Sequence, residues 1–224
     1  MKRLLSIFIC LIFVFSIASC EKKDAQSSTE KSKSATAEAD EIQKLAQEIT
    51  ANYNQAYLDF LKDKQESHRL FSLVFIDNDD IPELYLKGVS EAEGDMICSF
   101  KNGSIIKQQL NRTGGGKYTP RSGDIFNQNG NMGYCYTNVY KLSENGFSET
   151  FNALSIEKVE YLEGEEYNLI YEYFIAGTPA SETEYNNAVN TSFDSSRAVR
   201  LDENAVPYEE IVQQLEKVYD FNYY

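Results

Sequence analysis

The chain has no Trp, a single His, and 21 basic residues against 35 acidic ones among 224. Each shortage closes a route. One histidine, His68, cannot build a zinc site from histidines. A Ser-His-Asp or Cys-His centre would have to use His68, yet no G-x-S-x-G or comparable nucleophile turn accompanies it. His68 falls in the polar stretch 62–69 and is expected to face solvent. The net charge of −14 repels nucleic acid, so DNA and RNA are not expected partners. The lack of Trp weakens any sugar-stacking reading of the aromatic content. The longest apolar run, residues 4–17, covers about 14 residues, whereas a membrane-spanning helix needs about 20. A glycine-rich stretch, Arg112 to Tyr118, lacks the pattern of a phosphate loop. Tyr118 stands where a Ser or Thr must hold Mg²⁺, and Asn111 where the first glycine belongs. A plain hairpin loop is expected there.

What is present begins at the N-terminus. Lys2 and Arg3 precede the apolar run, Ile17-Ala18-Ser19-Cys20 closes it, and Glu21, Lys22, Lys23 and Asp24 follow. A basic start, a short apolar stretch and small residues before a cut mark a secretion signal. Residues 17–20 resemble the lipobox of bacterial lipoproteins: an aliphatic residue, two small residues and Cys. The resemblance implies cleavage before Cys20, lipidation of Cys20, and a protein held on the extracytoplasmic face of the cell membrane. A transmembrane anchor and an unlipidated signal peptide are the other two readings. Cleavage removes two basic residues and no acidic ones, taking the charge from −14 to −16.

The expected organisation is a signal at 1–19, a lipidated Cys with a tether at 20–39, and one α+β domain at 40–224. The tether is rich in Ser, Thr, Lys, Glu and Ala and has nothing large to bury. About 18 such residues reach roughly 20–25 Å. Export permits a disulfide between Cys98 and Cys135. Both lie in apolar, strand-like segments, where a free Cys behaves as a small hydrophobe.

Ile42, Leu45, Ile49, Tyr53, Tyr57 and Phe60 recur at helical spacing, predicting an amphipathic helix over about 40–62. Turn signals then separate short apolar segments. Asn102-Gly103 is the strongest of them, because both residues tolerate positive φ. Asn129-Gly130-Asn131 and Glu144-Asn145-Gly146 are read the same way. The pattern predicts an antiparallel meander of roughly eight to ten strands. Two helices should close the chain, one behind a capping box at Ser181 and Glu184, the other behind Pro207. The 16 Tyr suit half-buried strands, with the ring packed and the hydroxyl wet.

The acidic segment 71–86 holds Asp77, Asn78, Asp79, Asp80, Ile81, Pro82, Glu83 and Leu84. It resembles the D-x-D-G-D-G-x-P-E-L loops of bacterial surface proteins, in which Ca²⁺ can sit. The resemblance implies ligand positions at Asp77, Asp79 and Glu83. It also puts Phe75 where a first carboxylate belongs, and Asn78 and Asp80 where glycines belong. The alternative is an acidic turn whose side chains bind nearby backbone amides. A missing carboxylate makes a weak Ca²⁺ site at best the expectation. Lipobox, tether, helix, acidic hairpin and Tyr-rich strands together resemble uncharacterised surface lipoproteins of Gram-positive anaerobes, a likeness that implies no particular chemistry.

Two functional classes follow. One is a non-enzymatic module binding an envelope protein, peptide or glycan, or serving a structural role. The other is an extracellular hydrolase using paired carboxylates such as Glu165-Glu166 or Glu209-Glu210.

Overall fold

In the computed structural model the described residues are 52–111, 115–161 and 167–217. The expected signal, Cys20, the tether and residues 40–51 of the first predicted helix lie outside them. The fold is α+β and dominated by antiparallel strands. Helix α1 is described over 52–61. A four-stranded sheet follows, in the order β1 (His68–Val74), β2 (Glu83–Gly88), β3 (Asp95–Lys101) and β4 (Ser104–Leu110). The second sheet contains β5 (Gly116–Tyr118), β6 (Asp124–Asn131), β7 (Tyr134–Ser143), β8 (Gly146–Tyr161), β9 (Tyr167–Ile175) and β10 (Thr178–Ala180). Helix α2 (Glu182–Ser192), strand β11 (Val199–Arg200) and helix α3 (Tyr208–Lys217) complete the order. β11 pairs with β5 and closes the second sheet at that edge.

The meander is therefore split into two sheets, with eleven described strands where eight to ten were expected. The surplus comes from β5, β10 and β11, which have two or three residues each and carry no readable alternation. β8, at 16 residues, is the longest of the described strands.

The four-stranded sheet is covered on both faces. On one side Tyr53, Tyr57 and Leu61 of α1 and Ile211 and Leu215 of α3 pack on Phe71, Leu84, Leu86, Cys98 and Phe100. On the other, Val74, Ile76, Tyr85, Ile97 and Leu110 meet Tyr118, Ile125, Tyr140 and Leu142 of the second sheet. Two covered faces explain why β2 is buried almost throughout instead of alternating. Each fully buried aliphatic or aromatic side chain contributes about 1.5–3 kcal/mol. Tyr57 donates its hydroxyl to the carbonyl of Pro82 at 2.9 Å, fixing α1 over the start of β2.

Local chemistry sets several junctions. Asn102 and Gly103 have φ of 52° and 80°, the pair of positive values a two-residue hairpin of this twist requires. The β6–β7 turn falls at Met132 and Gly133, with φ of 51° and 81°, two residues after the expected Asn129-Gly130-Asn131. The observed register keeps Ile125 opposite Tyr140, both in the core. A turn two residues earlier would separate them. His68 also departs from expectation. It opens β1, is 7% exposed, and holds Ser67 Oγ at 2.8 Å from Nδ1. Burial, with nearby Lys64, lowers its pKa below the ordinary value.

The capping box before α2 forms as predicted. Ser181 Oγ accepts the Glu184 N–H, and Glu184 accepts the Ser181 N–H at 2.8 Å. Ser181→Ala should cost about 1 kcal/mol of stability. A lowered urea midpoint with an unchanged slope would show it; an unchanged midpoint would contradict the cap's contribution.

Candidate functional site

The loop between β1 and β2 carries the predicted ligand set, and the fold does bring it together. Carboxylate oxygens of Asp77, Asp79 and Glu83 lie within 4.8 Å of one another. Two tight side-chain turns shape the loop. The Asp79 N–H donates to Asp77 Oδ1 at 3.1 Å, and the Ile81 N–H to Asp79 Oδ1 at 2.8 Å. Glu83 opens β2 fully buried. It accepts the Ile76 N–H at 2.8 Å and the Ser99 hydroxyl at 3.0 Å. Burial first, and the Asp77 and Asp79 charges after it, outweigh these two donors and push its pKa up to about 7.

The residue that sequence reasoning missed is Lys101, at the end of β3. Its Nζ lies 2.5 Å from Asp77 Oδ2 and 2.5 Å from Asp79 Oδ2, and its side chain is 11% exposed. An ammonium thus stands between the carboxylates that a Ca²⁺ ion would have to bridge. Ca²⁺ takes six to eight oxygens. Here three carboxylates are available, and two already give an oxygen to Lys101. The only signal for Lys101 in the sequence was a basic residue just before Asn102-Gly103. Its placement depends on the pairing of Leu84 with Cys98, which, carried on three residues, brings Lys101 level with the acidic loop.

The loop is also tied to the second sheet. Phe75, in the position of the missing carboxylate, stacks its ring 4.3 Å from the Arg121 guanidinium. Arg121 Nη1 donates to the Asp79 carbonyl at 2.5 Å. The Arg121 and Gly123 N–H groups donate to the carbonyls of Phe75 and Ile76, at 3.1 and 2.8 Å. An acidic loop built in this way is a joint between two sheets.

Cys98 and Cys135 are both free thiols, one in each sheet. Cys98 is buried beneath α1, and that burial pushes its pKa up to about 12, so it remains a neutral core thiol. Glu209 and Glu210 sit exposed in the first turn of α3, and Glu165 and Glu166 lie outside the described residues.

The tyrosines divide into two populations. Tyr53, Tyr57, Tyr85, Tyr118, Tyr140 and Tyr185 are core residues. The others include those on a projecting ribbon. β7 ends its pairing with β8 at Tyr134 opposite Ile156, but β8 and β9 continue from Glu157 opposite Tyr171 to Tyr161 opposite Tyr167. One face of this two-stranded extension presents Tyr171, Val159, Leu169, Tyr161 and Tyr167 in alternate rows. Tyr161 is 82% and Tyr167 63% exposed. The other face presents Ile170, with Tyr134 and Tyr136 stacked at its root, ring centres 6.5 Å apart. Beside that root lies a cleft of about 310 Å³, bounded by the β2–β3 loop, the end of β4 and the β6–β7 face. None of Asp77, Asp79 or Glu83 lines it.

The chain matches no protein-family model, no curated protein and no solved structure, so the functional reading rests on its own residues.

Proposed function

We propose that this protein is a lipid-anchored, extracytoplasmic binding module that docks a neighbouring envelope protein through its tyrosine ribbon. The observation that carries the reading is the ribbon itself. A two-stranded extension is marginal alone in water. This one nevertheless presents Tyr161, Tyr167, Leu169, Val159 and Tyr171 to solvent on one face. Tyr combines a large apolar ring with a polar tip, and it is enriched where protein surfaces meet. Lys158 paired to Glu172, and Glu157 bonded to the Tyr171 hydroxyl, supply a polar rim. The carboxylates that converge in the acidic loop are engaged by Lys101 and backbone amides and lie away from the cleft, which favours binding over paired-carboxylate hydrolysis.

A photo-reactive phenylalanine analogue at Tyr167, in intact cells, should give one discrete protein adduct. Leu169→Asp should abolish that adduct without changing the melting temperature, because Leu169 is exposed. Adducts to lipid alone, or none, would defeat the reading. The anchor is tested separately. The unaltered protein should partition into the detergent phase, and Cys20→Ala should remain aqueous or unprocessed. Stable attachment needs at least two acyl chains, which a lipoprotein cysteine carries. A Cys20→Ala protein as membrane-bound as the parent would place the anchor elsewhere.

A further inference from the structure

We infer that the cleft at the root of the ribbon is a binding site for a neutral saccharide. The inference goes beyond the ribbon and stands independently of it. Its walls are Glu91 and Glu93 on the β2–β3 loop, Gln109 and Asn111 at the end of β4, and Asn129 and Tyr136 on the β6–β7 face. At about 310 Å³ it is at the small end of the roughly 300–1,000 Å³ range of small-molecule sites, room for about one or two sugar rings.

The walls are held in place by the fold. Gln109 Nε2 donates to the carbonyls of Glu93 at 2.8 Å and Asp95 at 3.0 Å, clamping β4 to the loop. Asp95, fully buried, accepts the Tyr85 hydroxyl at 2.6 Å and the Gly88 N–H at 3.2 Å. A Cβ on Gly88 would come 2.1 Å from the Gly94 carbonyl oxygen, so the loop closes only over glycine. The two Gln109 bonds fix the β2–β3 loop against the end of β4.

A second observation points to a ligand with hydroxyl groups. On the β6–β7 face Asn129 is opposite Tyr136, and one pleat deeper Asn127 is opposite Asn138. Beyond them Ile125 opposite Tyr140 belongs to the core. Asn127 is fully buried, and neither its Oδ1 nor its Nδ2 has a protein partner. The same is true of Asn129 Nδ2 and Asn138 Oδ1. Asn138 keeps one bond, its Nδ2 donating to Glu149 Oε2 at 3.0 Å, and of the three asparagines Asn129 is the one that lines the cleft. Buried polar atoms are almost always paired, so the unpaired amide of Asn127 and the single unpaired atoms beside it call for a cause. A side-chain amide offers a donor and an acceptor in one plane, which matches adjacent hydroxyls of a sugar. Tyr136 offers a ring face to its C–H surface. Glu91 and Glu93 line the cleft, and their charge disfavours anionic ligands.

The test uses the full-length protein in detergent micelles, titrated calorimetrically with glucose, galactose, N-acetylglucosamine and their β-1,4-linked dimers. Spermidine and glucose 6-phosphate serve as cationic and anionic comparisons. At least one neutral sugar should bind with a Kd of about 1 mM or tighter. Asn129→Ala and Tyr136→Ala should each weaken that binding by about tenfold, and Tyr167→Ala on the ribbon should leave it unchanged. Asn127→Val should raise the melting temperature while weakening the sugar, a combination that a purely structural asparagine would not produce. Binding of spermidine alone, of no sugar in the panel, or of a sugar indifferent to Asn129 and Tyr136 would overturn the inference, leaving the amides to water.

Discussion

Lys101→Met should lower the unfolding free energy by about 3 kcal/mol at pH 8, because removing one member of a buried ionic group strands the others. Asp77, Asp79 and Glu83 would then share a site with no cation, their oxygens within 4.8 Å. The methionine keeps the length and apolar stem of lysine, so lost packing contributes little. The loss should be smaller at pH 5, where Glu83, whose pKa is near 7, is protonated in the fold. Burial also raises the Asp79 pKa, against Lys101 and the Ile81 N–H, which works in the same direction. Calcium makes the test sharper. With the ammonium gone, the three carboxylates face one another across a gap that a divalent cation can bridge. An affinity of about 1 mM would return roughly 1.4 kcal/mol at 10 mM Ca²⁺. The unaltered protein should show no such gain. Equal stabilisation of both proteins by Ca²⁺ would mean that Lys101 does not stand in for the ion.

Glu83→Gln should change how stability depends on pH. The folded pKa of Glu83 is raised from 4.5 to about 7. Between those values the folded state keeps a proton that the unfolded chain has released. The contribution of this group is therefore fully present below about pH 4.5 and is lost as pH rises to about 7. Its size is roughly 3 kcal/mol. Glutamine keeps an acceptor for the Ile76 N–H and offers an amide N–H to the Ser99 oxygen, with no charge to desolvate. The variant should match the parent near pH 4.5 and exceed it by about 2–3 kcal/mol at pH 8. Denaturation curves of both proteins across pH 4.5–8 provide the comparison, in which other titrating groups cancel. A difference that stays constant over that range would rule out Glu83 as the titrating group.

The site was half legible. Asp77, Asp79 and Glu83 lie within seven residues, so a short turn was bound to bring them near one another. Their counter-ion comes from 18 residues beyond Glu83, through the pairing of β2 with β3. Whether an acidic loop holds a metal or a lysine depends on which strand lies beside it. The amides with unpaired atoms were less legible still. Asn127, Asn129 and Asn138 read as ordinary polar positions of two strands, two of them near an apparent turn. They became a row only when the β6–β7 register placed Asn127 opposite Asn138 and the first sheet covered that face.

By itself the sequence determined the features that depend on a few neighbouring residues. Positive φ at Asn102 and Gly103, the box at Ser181 and Glu184, the helix behind Pro207, and alternation in antiparallel strands all follow from local steric and hydrogen-bonding preferences. The tertiary structure alone decided which faces would be covered. It divided one run of strands into two sheets, took His68 into the interior, kept Cys98 and Cys135 in separate sheets, and left Tyr161 and Tyr167 in solvent while Tyr57 and Tyr85 became core. A strand's alternation names two faces and says nothing about what lies against either. That choice belongs to contacts made far along the chain, where the gain from burying apolar surface is shared among elements that no local pattern connects.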